Sequence, residues 1–353
     1  MNIVVSILLA ILAFGFLIFT HELGHFLAAR AFGVTVKEFC IGFGPKLLWY
    51  TSKKTGIKYA LAALPFGGYV SMEGEDAESE DPNALHKKAA WKRLIIMAAG
   101  GVVNLITGFL LIIVLVCNMP LGSTVVAEHP EELKGNYSTA EVLLKGDRIL
   151  SVAGQRVHIS DDLFYQIMRY GCEPVEVEVQ RGGKTITLTV QFPTRETDGQ
   201  VIGDTDFRVY AEPDRSFGTV VKHAFYRSVN TVEIVWESII DLIRGRYSFE
   251  AVSGPIGITE TIGTAVGQEG ASFGQRALMF CNLFAMISVN LGVVNLMPLP
   301  ALDGGRILCL LIEVIIRRPL PQKVEGMIHG IGIAVLFLLM IVIAVKDIFA
   351  IFV

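Results

Sequence analysis

The chain has 353 residues, 52% of them hydrophobic and only 18% charged. With a mean hydropathy of +0.53, this balance excludes an ordinary soluble enzyme and fits a polytopic membrane protein with some soluble mass. The net charge of −4 argues against nucleic acid as a partner.

The first apolar run, about Ile3 to Ala29, is long enough to cross a bilayer, which takes about 20 such residues. It has no basic n-region, so it does not read as a cleavable signal peptide. Ile3 to Thr20 carry no charge, and His21-Glu22-Leu23-Gly24-His25 follows directly. This is an instance of HExxH. On a helix, positions four apart share a face, about 6 Å apart along the axis. Two imidazoles so placed can grip one metal ion, with Glu22 close enough to reach a water held there. The pattern is that of a zinc hydrolase with two His ligands and a carboxylate base. Ionisable groups in a span cost about 2.5–3.5 kcal/mol each on insertion scales and mark function. A chance match would need three polar groups clustered by accident on an apolar helix.

Between the first and second spans, Leu47–Tyr50 and Ile57–Leu61 flank Ser52-Lys53-Lys54-Thr55-Gly56, which predicts a β-hairpin. Phe43 and Phe66-Gly67-Gly68-Tyr69 suit backbone lying close to a membrane surface. Glu73 to Asp81 reads as a solvated acidic linker. The second span is expected over about Leu94 to Met119. Gly122 to about Phe192 is rich in short β runs, with a helix expected over Asp161–Tyr170. Strands are expected over Val175–Gln180 and Thr185–Gln191. Phe217 to Tyr247 has an amphipathic helical pattern too often charged for a span. A third span, about Ala277 to Leu302, is interrupted by Asn282, Asn290, Asn295, Pro298 and Pro300. A fourth runs from about Met327 to Ile351.

The connections between spans one and two, and between spans three and four, are rich in Lys and Arg. The positive-inside rule puts both in the cytoplasm, with both termini outside and the region from Gly122 to about Phe273 extracytoplasmic. HELGH then lies at the cytoplasmic end of its span. The five cysteines have no CxxC spacing and give neither a zinc site nor a disulfide framework.

HExxH needs a third protein ligand and leaves a position for water. Asp303, in Leu302-Asp303-Gly304-Gly305-Arg306, is the best candidate, because it is expected at the same depth as HELGH. His86, His129, His158, His223 and His329 read as surface or packing residues. A substrate helix hides its carbonyls in internal hydrogen bonds and must unwind before attack. A hairpin edge beside the metal can hold the unwound strand. Gly67, Gly68 and Asn295 are the candidate substrate-binding residues.

These residues resemble the site-2 protease family of intramembrane zinc metalloproteases, specifically the bacterial regulator-of-sigma-E protease type. The resemblance runs through HELGH, GFGPKL (Gly42–Leu47), PFGGYV (Pro65–Val70), KRLIIMAAGGVVN (Lys92–Asn104), SGPIGI (Ser253–Ile258) and SVNLGVVNLMPLPALDGGR (Ser288–Arg306). It implies Zn2+ on His21, His25 and Asp303, Glu22 as base, and a substrate contact at Asn295. It also implies a polytopic α-helical membrane protein of four spans, with a cytoplasmic membrane-associated β-hairpin and an extracytoplasmic PDZ domain. The expected divisions are 1–119 for the first two spans and hairpin, 120–195 for the PDZ domain, 196–270 for the amphipathic region and 271–353 for the last spans. Single-span membrane proteins in the lipid bilayer, such as anti-sigma factors and signal-peptide remnants, are the implied substrates.

Two departures stand out. Where the family carries AGPxxN, this chain reads Ala99-Gly100-Gly101-Val102-Val103-Asn104. The stretch Glu128 to Thr139 is expanded, which weighs against ordinary peptide-terminus binding by the PDZ region and favours a size filter. Two other classes compete. A zinc transporter would need polar residues across several spans, and the fourth has almost none. A catalytically silent PDZ-bearing adaptor would not need Glu22.

Overall fold

The computed structural model describes residues 3–75, 79–133, 135–197, 200–245 and 270–352, with Gly257 and Gly263. Apart from Gly257, the SGPIGI segment lies outside the described residues, as does the stretch around Tyr247. The chain divides into two compact units, one of Met1–Leu111 and Ile234–Val353, the other of Ile112–Glu233.

The first unit contains α1 (Ile3–Ala31), β1 (Val36–Thr51), β2 (Lys58–Met72) and most of α2 (Ala90–Asn118). Among the described residues, four helices are long and apolar enough to cross a membrane, over Ile11–Ala31, Ala90–Asn118, Phe273–Leu296 and Lys323–Asp347. The expected hairpin is present, with Leu48 opposite Leu61, Trp49 opposite Ala60 and Tyr50 opposite Tyr59. Its strands extend further than expected. Val36 meets Met72, Phe39 meets Val70 and Ile41 meets Gly68 along a second line of pairing. The longer sheet follows from its packing. Val36, Phe39, Val70 and Met72 share a buried cluster with Ala29 of α1 and Ile96 of α2. The Phe39 ring meets Phe19 and Phe26 edge-on, at 6.0 and 5.5 Å between centroids. That packing holds the end of β2 against the HELGH turn. At the other end, Leu47, Leu48, Trp49 and Tyr50 are all exposed.

The second unit has β3 (Gly122–Glu128), β4 (Arg148–Val152), β5 (Gln155–Arg156), α3 (Ser160–Tyr170), β6 (Val175–Arg181) and β7 (Lys184–Val190). After these come β8 (Thr194–Thr197), β9 (Gln200–Gly203), β10 (Arg208–Ala211) and the start of α4 (Phe217–Ile243). The main sheet runs β10-β3-β4-β6-β7, with β5 on β4. Alternation drives it, since Val177 and Val179 of β6 are fully buried while Glu176 and Glu178 face out. Leu163 and Ile167, four apart on α3, complete the core with Phe192 and Phe207. His158 stacks on Tyr226 of α4 at 3.9 Å.

The third span needs a correction. α5 (Phe273–Leu296) stops six residues short of the expected Leu302, and a new helix, α6 (Asp303–Ile316), follows. Pro298 and Pro300 cause the break, because each lacks an N–H and disfavours helical backbone before it. α5 begins with a capping box between Ser272 and Gln275. α7 (Gln322–Phe352) carries the fourth apolar stretch, with most of its large side chains exposed.

Candidate metal centre

His21 and His25 lie on one face of α1, one turn apart. Their Nε2 atoms are 3.3 Å from each other. Asp303, the first residue of α6, brings Oδ2 to 3.1 Å from His25 Nε2 and 3.3 Å from His21 Nε2. The three atoms form a nearly equilateral triangle. A tetrahedral zinc with bonds of about 2.0–2.1 Å keeps its donors about 3.3 Å apart. Two imidazoles and a carboxylate are also donors that zinc favours, so these residues fit the ion in both spacing and chemistry.

The hydrogen bonds behind the rings decide whether Nε2 has a lone pair to give. His25 Nδ1 stands 2.8 Å from the Ile96 carbonyl. A carbonyl only accepts, so Nδ1 donates to it, and Nε2 of the neutral ring is left for a metal. Asn104 holds the His21 ring, with Nδ2 3.3 Å from His21 Nδ1 and Oδ1 accepting from the Thr20 hydroxyl at 3.1 Å. The same hydroxyl lies 2.9 Å from Leu17 O. Asp303 Oδ2 and the two Nε2 atoms converge on one point, where a cation would be held by all three. Partners of this kind, which fix ring orientation and tautomer, are usual for metal-bound histidines.

Glycines let the elements close on the centre. A Cβ on Gly100 of α2 would stand 2.2 Å from His25 Nε2 and 2.7 Å from His21 Cε1. A Cβ on Gly24 would meet Ala99 O at 2.5 Å. α2 runs unbroken where the family has proline, and Gly101 packs under Leu296. Gly304 and Gly305 let α6 begin against Met297 O and Leu299 O. Two ion pairs pin α6, one from Arg306 to Glu75 and one from Arg93 Nη1 to Glu313 Oε2 at 2.9 Å.

Glu22 is buried, with 8% of its surface exposed. Gly68 of β2 lies against it, since a Cβ there would stand 2.9 Å from Glu22 Cγ. Gly67 takes φ +87° and lies under the Phe43 ring, where no larger residue fits. Asn295 puts its amide 3.5 Å from His21 Nδ1, behind a candidate ligand. Thr20, Gly100 and Asn104 were not read as site residues from the sequence. Gly100 and Asn104 stood in a recognised motif, but their part depends on which face of α2 meets α1. His329 also departs from expectation. It does not merely pack, because Nδ1 accepts the Ala301 N–H at 3.1 Å.

The pattern of Peptidase family M50 matches residues 9–339. A Clostridium acetobutylicum protein is 34% identical over 97% of both chains. The zinc metalloprotease RasP of Geobacillus kaustophilus is 28% identical, again over 97% of both chains. The regulator of sigma-W protease RasP of Bacillus subtilis is 28% identical over 97% of this chain and 98% of its own.

Proposed function

This chain belongs to peptidase family M50 and is a zinc metalloprotease of the membrane, and from that premise we propose that it cuts single-span membrane proteins inside the bilayer. In this reading His21, His25 and Asp303 hold the zinc and Glu22 is the general base. The observation that carries it is the triangle of ligating atoms at 3.1–3.3 Å, beside a buried glutamate on an apolar helix.

Zinc, when bound, supplies the Lewis acidity that activates a water and polarises a carbonyl. Glu22 takes the proton from the attacking water and returns it to the leaving amine nitrogen. The Ile96 carbonyl accepts from His25 Nδ1 and leaves Nε2 of that ring to face the centre, and Asn104 holds the His21 ring in place. The unwound substrate strand pairs with backbone at the end of β2, where Gly67 and Gly68 allow close approach to Glu22. Asn295 offers a further amide to that strand.

The basic connections set the orientation, with β1 and β2 at the cytoplasmic surface and 120–195 outside as a PDZ domain. That domain acts as a size filter, so substrates arrive with their outer part already shortened. The name of the Bacillus subtilis relative supports a membrane-bound regulator of a sigma factor, an anti-sigma factor, as one substrate class.

The test uses two reporter fusions with the same span, one with a folded outer domain and one with a short outer tail. The wild-type chain should cut only the short-tailed fusion. Glu22→Gln should keep its zinc and lose cleavage by about 10²–10⁴-fold or more. Cleavage by Glu22→Gln at the wild-type rate would remove Glu22 from the reaction.

A further inference from the structure

The loop that delivers Asp303 holds an uncommon backbone conformation. Ala301 has φ +78°, in the left-handed region that a residue with a Cβ rarely adopts. Such a conformation persists only where its surroundings impose it. Two contacts from α7 do so. The Ala301 N–H donates to His329 Nδ1 at 3.1 Å. Three residues further along α7, Gly332 packs on Pro300, and a Cβ at Gly332 would stand 2.5 Å from Pro300 Cβ. On the far side of the loop, Gly304 and Gly305 rest on Met297 and Leu299. The short segment before Asp303 is gripped from both sides.

We propose that His329 is a positioning residue for the metal centre. Its Nδ1 fixes Ala301 in the left-handed conformation and so aims the Asp303 carboxylate at the two Nε2 atoms. The inference rests on Asp303 being the third ligand, as in the proposed function.

Cys309, Glu325 and His329 also bring candidate donor atoms within 4.8 Å of one another. The hydrogen bond argues against a metal there. A ring whose Nδ1 accepts an N–H carries its neutral-state proton on Nε2, so neither nitrogen is bare. A metal on His329 would need the Ala301 bond to break.

The experiment compares His329→Ala, His329→Asn and His329→Gln in the full-length purified protein, with Asp303→Ala beside them. The Oδ1 of Asn stands where Nδ1 stood, and the Oε1 of Gln stands near Nε2. The readouts are zinc content, the rate of zinc loss to a chelator, and kcat and KM on the short-tailed reporter. His329→Ala and His329→Gln should speed zinc loss and lower kcat by about 10–100-fold, with KM little changed. His329→Asn should restore most of both. Restoration by Gln and not by Asn would overturn the assignment to Nδ1. Two zinc ions per wild-type chain, falling to one in His329→Ala, would make the ring a ligand and overturn it as well. Unchanged zinc loss in His329→Ala, while Asp303→Ala sheds its zinc, would overturn this inference alone. Zinc retained in Asp303→Ala would remove the third-ligand reading beneath it.

Discussion

Buried or half-buried carboxylates occur in both units, and they are treated in opposite ways. In the β-rich unit Asp147 accepts from Arg181 Nε at 2.8 Å, from Arg181 Nη2 at 2.6 Å and from the Leu144 N–H at 2.8 Å. Burial alone would raise its pKa, but Arg181 and that N–H hold it below the usual range. Asp206 accepts from the Thr139 N–H at 2.7 Å, the Thr139 hydroxyl at 2.5 Å and the Ser138 hydroxyl at 3.2 Å. Each of these carboxylates faces donors, and each ties down a loop. Asp303 instead turns Oδ2 toward the Nε2 atoms of two histidines. A closed set of donors and acceptors stabilises a fold. A converging set of metal-ligating atoms leaves a place for a cation.

The comparison breaks most sharply at Gly100. Gly100→Ala would put a methyl at the point where the imidazole nitrogens converge. Zinc content should fall below about a tenth of wild type, and cleavage should fall with it. The helices should still assemble, because the change is one methyl group on an apolar helix. Full zinc occupancy in Gly100→Ala, measured by metal analysis of the purified protein, would show that the ion sits elsewhere.

The smallest effect concerns Asp162 of α3, where burial pushes the pKa up to about 6 against the hydrogen bond from the His158 N–H. The folded state then binds this proton more tightly than the unfolded state does. The stability tied to it is present below the unfolded pKa near 4 and is lost as pH rises through about 6. Asp162→Asn keeps an acceptor for the His158 N–H and removes the charge. Its melting temperature should exceed that of wild type at pH 8, and the gap should narrow by pH 5 and close only below about pH 4. Zinc content should not move. An equal gap at both pH values would contradict the burial argument.

The sequence made the chemistry legible because the metal centre depends on local spacing. A spacing of four between the histidines fixes a helix face, and an Asp-Gly-Gly after two prolines fixes a tight helix start. The apolar runs were legible for the same reason, and each of the four expected spans overlaps a helix apolar enough to cross a membrane. What could not be read was pairing across distance. The second line of β1–β2 pairing depends on Phe39 docking between Phe19 and Phe26. The roles of Gly100 and Asn104 depend on the rotation of α2 against α1. His329 lies 26 residues after Asp303 in sequence, and only the fold of α6 and α7 returns it to the loop before Asp303. The end of α5 at Leu296 was missed because hydropathy continues through Met297 to Leu302 while the prolines already forbid the helix.

The central claim is that His21, His25 and Asp303 form one zinc centre whose donors are all nitrogen and oxygen. Zinc-edge X-ray absorption of the purified, zinc-loaded chain tests it directly. The account predicts two imidazole rings and oxygen donors at about 2.0–2.2 Å, with one oxygen or the whole ion lost in Asp303→Ala. A sulfur neighbour at about 2.3 Å would put the zinc on a cysteine such as Cys309 and contradict the account.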